Sequence, residues 1–165
     1  MNDRADIDRT LIGSSAAPFA VEVEKGAIRR FAEAIGETAE IYFDEAFARS
    51  LGYPGIVAPP TFPTTFRPPS KPAWILGLDE GRFLAGEQGF RYQRPILAGD
   101  RLQCEFRLTD VQDKRSSKGD MALIIQDLIV TTPSGDMVCV NRRVVIYRGQ
   151  TTNLAPGISS QGVSS

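Results

Sequence analysis

Residues 121–147 read MALIIQDLIVTTPSGDMVCVNRRVVIY, and this stretch decides the fold. Met121 to Thr132 and Met137 to Tyr147 carry apolar residues at odd and even positions alike, as strands covered on both faces do. Between them Pro133-Ser134-Gly135-Asp136 supplies the residue types of a tight reversal. Two central strands joined by so short a link run antiparallel.

Working outward, Leu102 to Val111 alternates cleanly, the pattern of a strand buried on one face. Cys104 falls in phase with Leu102, Phe106 and Leu108, so its thiol reads as a small core residue rather than a nucleophile. Lys114 to Asp120 forms the next hairpin loop. Gly99-Asp100 is a turn after Arg94-Pro95, and Phe90 and Tyr92 alternate in a strand beginning near Glu87. The C-terminal half is thus an antiparallel meander.

The N-terminal half is mixed. Phe19 to Glu24 alternates as a short half-buried strand. Ile28, Phe31, Ala32 and Ile35 make one helical stripe that stops at Gly36, with a poorly capped start. A second short helix has Asp44 as N-cap, Phe47, Ala48 and Leu51 on one face, and Gly52 past its end. From Tyr53 to Pro72 seven prolines exclude a long helix, because proline fixes φ and has no N–H to donate. A single turn at Thr61 to Phe66 is the most this segment allows, and the segment reads either as the wall of a cavity or as a surface loop. Residues 1–12 and 150–165 are polar and rich in small side chains, which predicts a flexible N-terminal tail and a disordered C-terminal tail around one domain at 13–149.

Composition narrows the function. Apolar residues make up 42 % of the 165, and Lys plus Arg (19) nearly balance Asp plus Glu (20), with no basic block interleaved with aromatics. Nucleic-acid and membrane-surface binding are therefore not expected. The start has no apolar run of a secretory signal and no stretch matches a membrane span, so a cytoplasmic setting is expected. Two cysteines without a CxxC give neither a disulfide framework nor a zinc signature. Above all, the sequence contains no histidine, so the commonest general base and the commonest metal ligand are both absent from it.

Three local patterns then coincide with a known family. They are Phe31-Ala32-Glu33-Ala34-Ile35-Gly36 leading to Tyr42-Phe43-Asp44-Glu45, Gly52-Tyr53-Pro54-Gly55-Ile56-Val57-Ala58-Pro59-Pro60-Thr61-Phe62, and Arg94-Pro95-Ile96-Leu97-Ala98-Gly99-Asp100. In order and spacing, from Phe19 to Arg148, the chain resembles the N-terminal, FAS1-like dehydratase module of the MaoC-like (R)-specific hydratases. It is also similar to the non-catalytic subunits of two-subunit (3R)-hydroxyacyl-ACP dehydratases.

The resemblance implies an α+β chain of one hotdog fold, a curved antiparallel sheet around a central helix, here shortened and interrupted by proline. It further implies pairing with a second hotdog unit. In catalytic members the loop after the first helix carries an Asp and, five residues later, a His, and these positions fall on Glu37 and Tyr42. A turn glycine whose amide holds the thioester carbonyl falls on Pro60. An ordinary tyrosine is protonated near pH 7 and proline has no N–H, so by this resemblance Glu37, Tyr42 and Pro60 are degenerate positions and no catalytic residue remains. Taken singly, the same residues read as a solvated carboxylate, a half-buried aromatic and a plain helix start.

The expected role is a substrate-binding subunit of an enoyl-thioester hydratase or 3-hydroxyacyl-thioester dehydratase. Tyr42, Pro59, Thr61, Phe62, Phe66 and Trp74 would contact substrate, and a His-bearing hotdog chain would bring the base. No cofactor is expected beyond the CoA or phosphopantetheine that the substrate carries, and no metal. Arg91, Arg94, Arg142, Arg143 and the Lys114–Lys118 tip are the cations available for its phosphates. The alternatives are a homodimeric acyl-CoA thioesterase using Glu37, Glu40 or Asp44, and a thioester-binding module without chemistry.

Overall fold

In the computed structural model, which describes residues 7–116 and 119–149, five strands form one antiparallel sheet. They are β1 (Phe19–Glu22), β2 (Phe83–Tyr92), β3 (Arg101–Ser116), β4 (Gly119–Thr131) and β5 (Met137–Arg148), in the spatial order β1-β3-β4-β5-β2. The meander β3-β4-β5 is as expected, and β2 returns alongside β5 with Tyr92 opposite Cys139.

Alternation places Leu102, Cys104, Phe106 and Leu108 of β3, Ala122, Ile124, Leu128 and Val130 of β4, and Cys139 and Tyr147 of β5 in the core. The opposite positions of the two central strands, among them Ile125, Ile129, Val140 and Val144, are half-buried. This explains the two-sided apolar pattern of residues 121–147. β2 begins at Phe83, earlier than its alternation indicates, because it bulges between Ala85 and Glu87. Gly86 permits the bulge, since a Cβ there would lie 2.7 Å from the Val144 carbonyl oxygen.

α1 (Lys25–Ala34) buries Ile28 and Ala32, and its N-cap, Glu24, makes no side-chain capping bond, as its sequence suggests. α2 (Glu45–Ser50) starts on Asp44, whose carboxylate accepts from the Phe47 amide at 2.9 Å. The apolar stripe expected on α2 is not buried as such: Ala48 is fully covered, but Phe47 and Leu51 are 37 % and 55 % exposed.

The central helix is reduced to a single 3-10 turn, Phe62–Thr65, closed by Pro59, Thr61 and Pro63 carbonyls. Phe62 bridges it to α1, edge-to-face with Phe31 at 5.5 Å and with Phe66 at 5.6 Å. Two sheet side chains donate to proline carbonyls of this segment. Arg143 Nη2 donates to the Pro63 carbonyl at 2.8 Å and the Tyr92 hydroxyl to the Pro60 carbonyl at 2.7 Å.

Residues 7–12, expected to carry no core, do carry some. Ile7 is 4 % exposed within the core, Leu11 packs against it, and Arg9 pairs with Asp113 at 2.6 Å. Polar neighbours concealed two apolar residues at helical spacing. Residues 1–6 and 150–165 lie outside the described residues.

Candidate functional site

The three sequence patterns converge in space. The Ala58 amide donates to the Ile96 carbonyl at 2.8 Å, the Ala98 amide to Ile56 at 2.9 Å, and the Val57 amide to Ile41 at 3.3 Å. Arg94 and Asp100 fix the far side of this junction. The guanidinium forks onto the carboxylate at 2.7 and 3.2 Å, and Asp100 also accepts from the Leu97 amide at 2.9 Å. The Gly99-Asp100 turn is thereby held rigid, with Gly99 at φ 90°.

Where the patterns meet lies a cavity of about 360 Å³ lined by Ile41, Tyr42, Tyr53, Val57, Ala58, Pro60, Tyr92 and Pro95. Its surface is mainly apolar with three phenols, the composition of a site for an apolar ligand with a few polar contacts. Burial, and secondarily the Glu37 charge, raises the Tyr42 pKa. Burial first, then interaction with Cys139, raises that of Tyr92. Both phenols stay protonated at neutral pH, so each is able to donate a hydrogen bond and neither serves as a base. Among the described residues, those lining the cavity include no carboxylate, imidazole or thiol, and no cluster of three His, Cys, Asp or Glu side chains could hold a metal ion.

Of the residues picked out in the sequence, Tyr42 and Pro60 line this cavity. Glu37 is half-buried beside it and acts on Tyr42 through its charge. Pro59 is fully buried, and Thr61 is exposed. Phe62, Phe66 and Trp74 are each at most 3 % exposed and belong to the core, Trp74 Nε1 donating to Gln126 Oε1 at 3.0 Å. Phe62, Phe66 and Trp74 thus pack within the core, and these three do not line this cavity. Ile41, Tyr53, Val57, Ala58, Tyr92 and Pro95 complete it. Alternation gave Tyr92 a face of the sheet, but only the β2–β5 register and the Pro60 bond bring it to this site.

Two of the expected cations are otherwise engaged. Arg94 holds Asp100, and Arg143 is 6 % exposed between Asn141 Oδ1, the Pro63 carbonyl and the ring of Phe106, 5.0 Å from its centroid. Burial chiefly, with the Arg67 charge, lowers the Arg143 pKa to about 10, so it remains a cation. The Lys114–Lys118 tip lies partly outside the described residues.

Residues 10–141 match the FAS1-like, dehydratase domain region. The chain belongs to this family. Among curated relatives, a UPF0336 protein of Saccharopolyspora erythraea is 36 % identical over 148 residues, 87 % of this chain and 92 % of that one. One of Mycobacterium tuberculosis is 31 % identical over 125 residues, 73 % and 77 % respectively. Among solved structures, the ChsH1-ChsH2 complex of Mycobacterium tuberculosis superposes with a TM-score of 0.68 at 25 % identity, covering 85 % of this chain and 88 % of that one. The truncated HadBC (3R-hydroxyacyl-ACP dehydratase) complex of the same organism gives 0.69 at 24 % identity, covering 82 % and 96 %. A MaoC-like dehydratase of Rhodospirillum rubrum gives 0.62 at 17 %. The fold is that of the MaoC-like hotdog hydratases, as expected, and two of these neighbours are heteromeric complexes of hotdog subunits.

Proposed function

We propose that this chain is the substrate-binding, non-catalytic subunit of an (R)-specific enoyl-thioester hydratase or 3-hydroxyacyl-thioester dehydratase. One observation carries the reading: in a dehydratase-family chain without histidine, the position matched to the base is Tyr42, a protonated phenol on the wall of the cavity. Hydration requires a base to take a proton from water as its oxygen bonds C3 of the enoyl group, and an acid to protonate C2. A group near its own pKa performs both transfers, and a phenol shifted upward does not.

In this reading the base arrives with a partner hotdog chain, and this chain contributes the apolar cavity and hydrogen bonds from Tyr42. The thioester oxyanion also needs its donor from the partner, since Pro60 has no N–H and the Tyr92 hydroxyl already donates to the Pro60 carbonyl. No cofactor is required beyond the substrate's own CoA or phosphopantetheine. A cytoplasmic setting accords with Cys104 and Cys139 being free and buried rather than bridged.

A thioesterase working through Glu37, Glu40 or Asp44 finds less support. Asp44 is spent on capping α2, Glu40 is exposed, and none of the three lines the cavity. The test separates these readings: acyl-CoA and enoyl-CoA are each supplied to the purified chain, alone and with a His-bearing hotdog partner. Hydration only in the mixture supports the proposal, and release of free CoA by the chain alone contradicts it.

A further inference from the structure

The three phenols of the cavity differ in what their hydroxyls do. Tyr92 commits its proton to the Pro60 carbonyl. Tyr42 and Tyr53 line the same space, yet neither hydroxyl makes a hydrogen bond among the described residues. Around them the wall is apolar, made by Ile41, Val57, Ala58, Pro60 and Pro95, and no lysine or arginine lines it.

Tyr53 is set in this wall by the end of α2. The Gly52 amide donates to the Arg49 carbonyl at 3.0 Å and the Tyr53 amide to the Ala48 carbonyl at 3.1 Å, with Gly52 at φ 91°. These two bonds and the left-handed glycine make a Schellman ending, which fixes the direction of the chain as it leaves the helix. Ala48 is fully buried, so the ending is anchored in the domain. Tyr42 comes from a separate 3-10 turn, Glu40–Tyr42, tied across by the Val57 amide on the Ile41 carbonyl at 3.3 Å. Two independent backbone devices thus bring two unbonded phenols to one apolar space.

A hydrocarbon occupant strips water from both hydroxyls and returns no acceptor, which weakens its binding. An occupant with a neutral acceptor oxygen restores such a bond, whereas an ionised carboxylate finds no cation on this wall to balance its charge. We infer that Tyr53 is a specificity-determining donor, and that this chain selects acyl groups bearing a neutral oxygen function, a ketone or hydroxyl, besides the thioester itself. This rests on the acyl-thioester reading and names the substrate class within it. The oxygen belongs to the acyl group because, in that reading, the acyl end occupies the cavity.

The test is calorimetric titration of the full chain with octanoyl-CoA and with a panel of oxo-octanoyl-CoAs that differ in the position of the ketone. These saturated thioesters carry neither the double bond nor the hydroxyl that the lyase reaction needs, so binding is read without turnover. The best-bound oxo isomer is expected to exceed octanoyl-CoA in affinity by about threefold to tenfold, the range of one net hydrogen bond. Tyr53→Phe should erase that advantage and leave octanoyl-CoA binding unchanged, which a merely structural role for the side chain would not do. The comparison on the wild-type chain needs no variant to fold. Octanoyl-CoA binding as tightly as every oxo isomer, or an advantage that survives Tyr53→Phe, overturns the inference while leaving the acyl-thioester reading in place. Failure of the chain to bind any of these thioesters contradicts that reading itself, and the inference falls with it.

Discussion

The Tyr92 hydroxyl donates to the carbonyl oxygen of Pro60 over 2.7 Å, tying the end of an edge strand to the turn that stands where a central helix would begin. Prolines 59, 60 and 63 cannot donate backbone hydrogen bonds, so the bonds from the Phe62, Thr64 and Phe66 amides that close this turn are supplemented from the sheet. Tyr92→Phe should lower stability to urea by about 1 kcal/mol, the usual net worth of one hydrogen bond. The fold and the apolar cavity should survive. An unchanged denaturation midpoint would show that the tether contributes nothing.

Tyr42 lies in the same cavity, with its pKa raised by burial and by Glu37. If it only contacts substrate, Tyr42→Phe in the complex with a His-bearing partner should change kcat by less than about threefold, well below the 10²- to 10⁴-fold range of a general acid or base. A loss of a hundredfold would make the phenol a catalytic residue.

The two thiols offer a chemical check on the core. Burial raises Cys104 to about 12, chiefly by desolvation with Cys139 nearby, and Cys139 to about 11. Since only the thiolate reacts, iodoacetamide at pH 8 should label neither residue appreciably in the native chain and both in urea. Rapid labelling of either in the native state contradicts its place in the sheet interior.

Acid stability should report on Asp127. Hydrogen bonding to Arg142, more than offsetting partial burial, lowers its pKa below the ordinary 3.8. A carboxylate held low in the folded state contributes stability above its unfolded pKa and loses it as pH falls through the folded value. Asp127→Asn should therefore cost up to about 1 kcal/mol at pH 7, reduced by the exposure of Arg142, and less at a pH below the ordinary carboxylate range. Chemical denaturation at the two pH values measures the difference. An equal cost at both would mean packing, not charge.

The sheet was legible because its signal is periodic. Leu102, Cys104, Phe106 and Leu108 all fall inside, and the two-sided pattern of 121–147 corresponds to the central strands β4 and β5. What escaped depends on non-local geometry. Gly86 hid the start of β2 because a bulge breaks alternation. Phe62, Phe66 and Trp74 read as cavity wall, yet these aromatics gain more by burial in the core than by lining a cavity. Tyr42 and Pro60 could be placed by motif, whereas Tyr92 joined them through strand register, which no local pattern encodes.

The central claim concerns where the base resides, and enoyl-CoA hydration measures it most directly. Initial rates are compared for the purified chain alone, for a His-bearing hotdog partner alone, and for the two together. The account predicts no turnover by this chain, and turnover in the mixture that disappears when the partner's histidine is replaced. Robust hydration by this chain alone, with no histidine anywhere in its sequence, would contradict it.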